Sequence, residues 1–186
     1  MGGTRPSLDG RSRGLATHTI LQHVDLRGDF TADALKKQAD GLVSSGILLP
    51  EEITLVDLEA IAAFWESAAG KEIRARSSEV RRELPFAFKL GDEDLAALTK
   101  EDHAPVPVGE FIVTQGVADL VVLGRSEIWL IDFKTDTVKA PEVRRKAEEY
   151  RAQILLYSLA LERIYRKPVT RKGLYFLSVR KLEWLE

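Results

Sequence analysis

The chain contains no cysteine. That excludes disulfides, a thiolate zinc site and an iron–sulfur cluster anchored in it. No apolar run approaches the roughly 18 residues that a membrane-spanning helix needs. The opening stretch "MGGTRPSLDGRSRG" lacks the hydrophobic core of a signal peptide, so a cytoplasmic protein with no membrane partner is expected. An excess of one charge is missing too: 27 Lys and Arg stand against 29 Asp and Glu, a formal net charge of −2. Nucleic-acid binding would therefore need positive charge gathered locally.

What is present suffices for a sizeable core, because 186 residues with 45% hydrophobic content fit one domain. Residues 1–13, rich in Gly, Ser and Arg, read as a tail without fixed structure, and residues 14–186 as a single domain. "LATHTILQHV", from Leu15 to Val24, reads as a short helix with Leu15, His18 and Leu21 on one inward face. A second helix is predicted over Ala32 to Val43, capped by Thr31, with Leu35, Ala39 and Leu42 inward. "TLVD" at Thr54 reads as a helix start resembling a capping box, followed by Leu58, Ile61, Phe64, Trp65 and Ala68 at helical spacing. "VRRELPFAFKL" reads as extended chain interrupted at Pro85, and "GDEDLAALTKEDHAPVPVGE" as a polar connection. A long helix from about Pro141 to Tyr165 and a strand "GLYFLSV" complete a mixed α/β domain.

The informative stretch is "QGVADLVVLGRSEIWLIDFKTD". Its two strand-like runs flank "GRSE", whose Gly124 suits a turn. A hairpin centred between Arg125 and Ser126 sets Asp119 opposite Asp132. Alternation then places Lys134 on the same face as both. Two ionised carboxylates about 5 Å apart repel by roughly 3 kcal/mol at an effective dielectric of about 20. A divalent cation offsets that repulsion. Mg²⁺ favours a few carboxylates plus phosphate oxygens and water, and can promote phosphodiester hydrolysis, with Lys134 neutralising charge on the phosphate. The plainer alternative is that Asp119 and Asp132 mark strand ends or pair with basic neighbours.

These residues carry a resemblance. "QGVADLVVL…WLIDFKTDTV" followed by "YRAQILLYSLAL" is similar to the nuclease domain at the carboxyl end of the AddA and RecB helicase–nucleases, within the PD-(D/E)XK superfamily. "RGLATHTILQHVDL", "FWES", "RRELPF" and "GLYFLS" share in it. The resemblance implies a restriction-endonuclease-like mixed sheet flanked by helices, with an N-terminal helical segment. It implies that Asp119 and Asp132 bind Mg²⁺ or Mn²⁺, that Lys134 is the catalytic lysine, and that His18 and the backbone carbonyl of Phe133 are further ligands. Tyr150, Gln153 and Tyr157 would border the active site and support the DNA strand. An imidazole ligand shifts preference towards Mn²⁺. Implied partners are single-stranded DNA or duplex ends, and a helicase domain or subunit. Ala118 replaces the proline of the superfamily's name. "AAGKE" is no Walker A motif, so ATP hydrolysis is not expected of this chain.

Each feature also has a structural reading. Tyr150, Gln153 and Tyr157 share a helical face and could be a packing stripe. Glu83, on the strand expected beside the hairpin, could approach the metal, with a salt bridge to a flanking arginine the favoured alternative, and His23 and His103 are expected to be surface residues. The basic runs "RRK" and "RIYRKPVTRK" suit either a solvated face or phosphate contacts. The function expected is a metal-dependent DNA nuclease, an exonuclease of recombinational repair and end processing; the alternative is a catalytically silent module that binds DNA or a helicase.

Overall fold

The computed structural model describes residues 10–91, Asp94 and residues 112–186. Helices α1 (Gly10–His23), α2 (Ala32–Ser44), α3 (Pro50–Ile53), α4 (Leu58–Glu66) and α5 (Ala68–Ala75) precede strands β1 (Val80–Leu90), β2 (Ile112–Leu123) and β3 (Ile128–Lys134). Then come α6 (Val143–Glu149), α7 (Arg151–Tyr165), β4 (Val169–Phe176) and β5 (Lys181–Leu185). The strands form one mixed sheet whose order repeats chain order, with β1 outermost and antiparallel to β2, and β2 antiparallel to β3. The α/β architecture with N-terminal helices expected from the sequence is the one adopted. No helix among the described residues is long and apolar enough to cross a membrane.

The chain divides into two compact units. The first comprises Met1–Ser77, Phe133–Lys139 and Tyr175–Lys181. Its α1 starts at Gly10, inside the stretch read as a tail, and Arg13 anchors the first turns by donating from Nη2 to the Thr135 carbonyl at 2.8 Å. The remaining tail lies outside the described residues. The buried stripe of α1 is Ala16, Thr17, Ile20 and Leu21, whereas Leu15 is 61% exposed. A stripe through Leu15, His18 and Leu21 fits helical spacing, but the face that packs is centred one position on, through Ala16, Thr17, Ile20 and Leu21, which leaves Leu15 outside. Thr31 caps α2 as its side chain suggests, accepting from the Ala34 amide at 3.2 Å.

The start of α4 differs from the capping-box reading. Asp57 is itself the cap, accepting from the Ala60 amide at 2.9 Å, and Thr54 closes α3 by donating to the Glu51 carbonyl. A short carboxylate one residue before the helix satisfies an orphan N–H better than a hydroxyl three residues earlier. Ser67 ends α4, so Ala68 opens α5 and is exposed instead of extending the apolar stripe. The core of this unit is aromatic. Phe64 meets Trp65, Phe133 and Tyr175 edge-on, each at 4.9 Å between ring centroids. The buried Tyr175 hydroxyl donates to the Ala60 carbonyl at 2.9 Å.

The second unit comprises Ser78–Asp132, Ala140–Leu174 and Leu182–Glu186. Pro85 does not interrupt β1, which pairs through it with Val117. A proline is tolerated there because an outermost strand has one side without ladder bonds. The long helix predicted over residues 141–165 is two, α6 and α7, with Tyr150 at the junction. Strand β5 escaped sequence reading. Its "KLEWL" follows β4 after one turn, and Trp184 and Trp129 flank the Arg171 guanidinium at 5.3 and 4.4 Å from their ring centroids. Of the polar connection, Asp94 is described: it is buried and accepts from Arg163 Nη2 at 2.6 Å and from the Gly91 amide at 3.0 Å. His103 lies outside the described residues.

Candidate metal centre

The geometry starts with strand register. β2 and β3 pair Leu120 with Ile131 and Leu123 with Ile128, the register that follows from a turn centred between Arg125 and Ser126. Carried one residue further, it sets Asp119 across from Asp132. The β1–β2 ladder runs from Arg82↔Leu120 directly to Leu84↔Ala118. The residue passed over is Glu83, and its counterpart in that register is Asp119. Glu83, Asp119 and Asp132 therefore occupy one row across three neighbouring strands. Burial grades along it: Glu83 and Asp119 are half-buried, while Asp132 is 3% exposed.

Glu83 has φ 48°, in the left-handed region. That conformation costs a non-glycine residue about 1–2 kcal/mol. Its carboxylate reaches to within 4.8 Å of that of Asp119. Of the two places expected for Glu83, near the metal or paired with a flanking arginine, this sets its carboxylate beside that of Asp119. The signal lay in the register, since counting back from Asp119 across the β1–β2 pair leads to Glu83.

Tyr157, on α7, registers all three acids. Burial raises its pKa above the ordinary tyrosine value; a hydrogen bond from Gln153 lowers it, and the charges of Asp132, Asp119 and Glu83 raise it further. Gln153 Nε2 donates to the Tyr157 hydroxyl oxygen at 3.1 Å, one helical turn away. Tyr150 differs from its two companions, since it sits at the helix junction with Lys146 Nζ 5.3 Å from its ring centroid. Gln153 and Tyr157 bond to each other along this helix face, and the charges of the three acids reach Tyr157.

The last residues of β3 are fixed from the opposite side. Phe133 is buried and its ring packs against Phe64, 4.9 Å between centroids. Strand alternation then turns Asp132 and Lys134 to the other face, with Lys134 half-buried. His18 is half-buried on α1. His23 is exposed at the end of the same helix, its Nδ1 2.9 Å from the Thr19 carbonyl oxygen. Among the basic residues, Arg145 and Lys146 both bridge to Glu149 at 2.7 Å, and Lys167 donates to the Gly124 carbonyl at 2.8 Å.

Hard carboxylate oxygens in a partly dry setting suit Mg²⁺ or Mn²⁺, which prefer oxygen ligands and leave room for water and phosphate. The residues fit such an ion.

A sequence model of the PD-(D/E)XK nuclease superfamily matches residues 3–183. Over 171 residues the chain is 36% identical to an ATP-dependent helicase/nuclease subunit from Bacillus cereus (strain B4264), covering 88% of this chain and 13% of that protein. Over 170 residues it is 35% identical to the protein of the same name from Moorella thermoacetica (strain ATCC 39073 / JCM 9320), covering 91% of this chain and 12% of that one. The chain thus spans 12–13% of the length of these relatives.

Proposed function

The chain belongs to the PD-(D/E)XK nuclease superfamily, and on that premise we propose that it hydrolyses DNA phosphodiester bonds with Mg²⁺ or Mn²⁺. The chain acts as a single nuclease domain, working as an exonuclease on single strands or duplex ends during recombinational repair. A helicase, in the same chain or in a partner, would feed it DNA. The observation that carries this reading is the row of acids, Glu83, Asp119 and Asp132, across β1, β2 and β3.

Asp119, Asp132, His18 and the Phe133 carbonyl are assigned as ligands. A bound divalent cation supplies Lewis-acid polarisation of the phosphodiester and makes water a better nucleophile at neutral pH. Lys134, two residues beyond Asp132 on the same face of β3, brings an ammonium to the phosphate. There it neutralises charge that builds as water attacks in line, and the product carries a 5′-phosphate. The Tyr150–Gln153–Tyr157 face supports the DNA strand.

The test is incubation with linear single-stranded DNA and Mn²⁺ against an EDTA control. Shortening of the strand in the first and none in the second supports the assignment. Binding without cleavage would identify a silent module instead, and cleavage of RNA in preference to DNA would move the substrate class.

A further inference from the structure

Gly116 and Phe86 face each other as a cross-strand pair of β2 and β1. The buried Phe86 ring covers the glycine so closely that a Cβ there would lie 2.7 Å from Phe86 Cζ and 3.3 Å from Tyr157 Cε1. Phe86 meets the Tyr157 ring edge-on, with centroids 4.9 Å apart and planes at 74°. From its own helix, Gln153 donates to the Tyr157 hydroxyl oxygen. That oxygen already accepts a hydrogen bond, so its proton is available to donate outward. The charges that reach the hydroxyl are those of Asp132, Asp119 and Glu83.

We propose that Gly116 and Phe86 are positioning residues, forming a slot that fixes the Tyr157 ring so that its hydroxyl donates to a phosphate oxygen of the bound DNA strand. This rests on the nuclease reading above. Aromatic cover of a strand glycine is also a common packing device. Packing alone, however, requires only that the space be filled, whereas positioning requires the ring to stay where it is. A methyl at Gly116 must push Phe86, Tyr157 or both aside. Displacement of a substrate-orienting group by about 1 Å can reduce turnover by up to about a hundredfold.

The experiment compares the wild-type chain with Tyr157→Phe, Gly116→Ala, the double variant Gly116→Ala/Phe86→Leu, and Tyr157→Phe/Gly116→Ala. Each is assayed for kcat and KM on a single-stranded oligonucleotide with saturating Mn²⁺. Tyrosine labelled with ¹³C at Cζ reports the ring by NMR, its signal assigned from its loss in Tyr157→Phe. Gly116→Ala and Tyr157→Phe should each lower kcat by at least about tenfold, and Gly116→Ala should shift the Tyr157 signal. Trimming Phe86 to leucine makes room for the new methyl while still bounding the slot, so the Gly116→Ala/Phe86→Leu variant should regain most of kcat. Tyr157→Phe/Gly116→Ala should lose no more than either single change.

Wild-type kcat in Gly116→Ala or Tyr157→Phe overturns the slot. So does a Gly116→Ala/Phe86→Leu variant no faster than Gly116→Ala, or losses that multiply in the last variant. If the wild-type chain neither cuts DNA nor is stabilised by Mn²⁺, the nuclease reading falls and takes the slot with it. A cutting wild type with an indifferent Gly116→Ala removes the slot alone.

Discussion

The carboxylates of Glu83 and Asp119 approach within 4.8 Å of each other, one from the outermost strand and one from its neighbour. Two negative charges that close raise the energy of the fold, and a divalent cation between them lowers it. Mn²⁺ at about a hundred times its dissociation constant should stabilise the protein by about 2.7 kcal/mol. For a chain of this size that is a rise in Tm of roughly 5–10 °C. Asp119→Ala should reduce the rise to about 1 °C or less, as read by differential scanning calorimetry with and without EDTA. An equal rise in both proteins would remove Asp119 from the ligand set.

Asp132→Asn and Lys134→Ala separate chemistry from folding. Asp132 is nearly inaccessible and Lys134 half-buried. Burying a charge is unfavourable, so neutralising either should leave Tm unchanged or higher. Cleavage of single-stranded DNA should fall by at least about a hundredfold in each, since each removes charge placed for the transition state. Comparable loss of Tm in both variants would favour a structural role.

Tyr175 predicts an alkaline limit. Burial pushes its pKa up to about 12, with Arg180 lowering it and Asp57 raising it. The unfolded chain gives up that proton near about pH 10. Above that pH the unfolded state binds fewer protons than the folded one, so stability declines as pH climbs towards 12. The decline attributable to this residue is at most roughly 2–3 kcal/mol. Tyr175→Phe should lose about 1 kcal/mol at neutral pH with its bond to the Ala60 carbonyl, but show a shallower alkaline slope in urea titrations. Parallel slopes for the two proteins would argue against it.

Gly70 is fixed by backbone instead of side chains. A Cβ on it would lie 2.6 Å from Trp65 Cα and 2.7 Å from the Trp65 carbonyl oxygen, and closer still to the Phe64 carbonyl oxygen. Backbone atoms cannot step aside as a flexible side chain can. Gly70→Ala should therefore destabilise by about 2 kcal/mol or more, measured as a lower urea midpoint with an unchanged slope.

The hairpin was legible because its signals are local. A turn residue, two β-rich runs and alternation set the register without reference to the rest of the chain. The predicted helix α2 and its Thr31 cap were readable for the same reason. What escaped depended on partners distant in sequence. Pro85 reads as an interruption until one knows that β1 is outermost. Glu83 could be placed near the metal from sequence, but its position opposite Asp119 waits on the β1–β2 register. Leu15 looks buried from its spacing to His18 and Leu21, and only the packed partners show that the buried stripe is Ala16, Thr17, Ile20 and Leu21. Strand β5 is too short and too charged to separate from a solvated end.

The outermost strand has a consequence for solubility. A long β-strand at the margin of a sheet is a template on which another molecule can add its own backbone, the first step towards amyloid-like stacking. β1 carries two devices against that. Pro85 offers no N–H to an incoming strand, and the left-handed turn of the backbone at Glu83 spoils the straight run that docking would need. Restoring a regular edge, with Pro85→Val and the β-branched Glu83→Val together, would be expected to yield a protein that precipitates more readily.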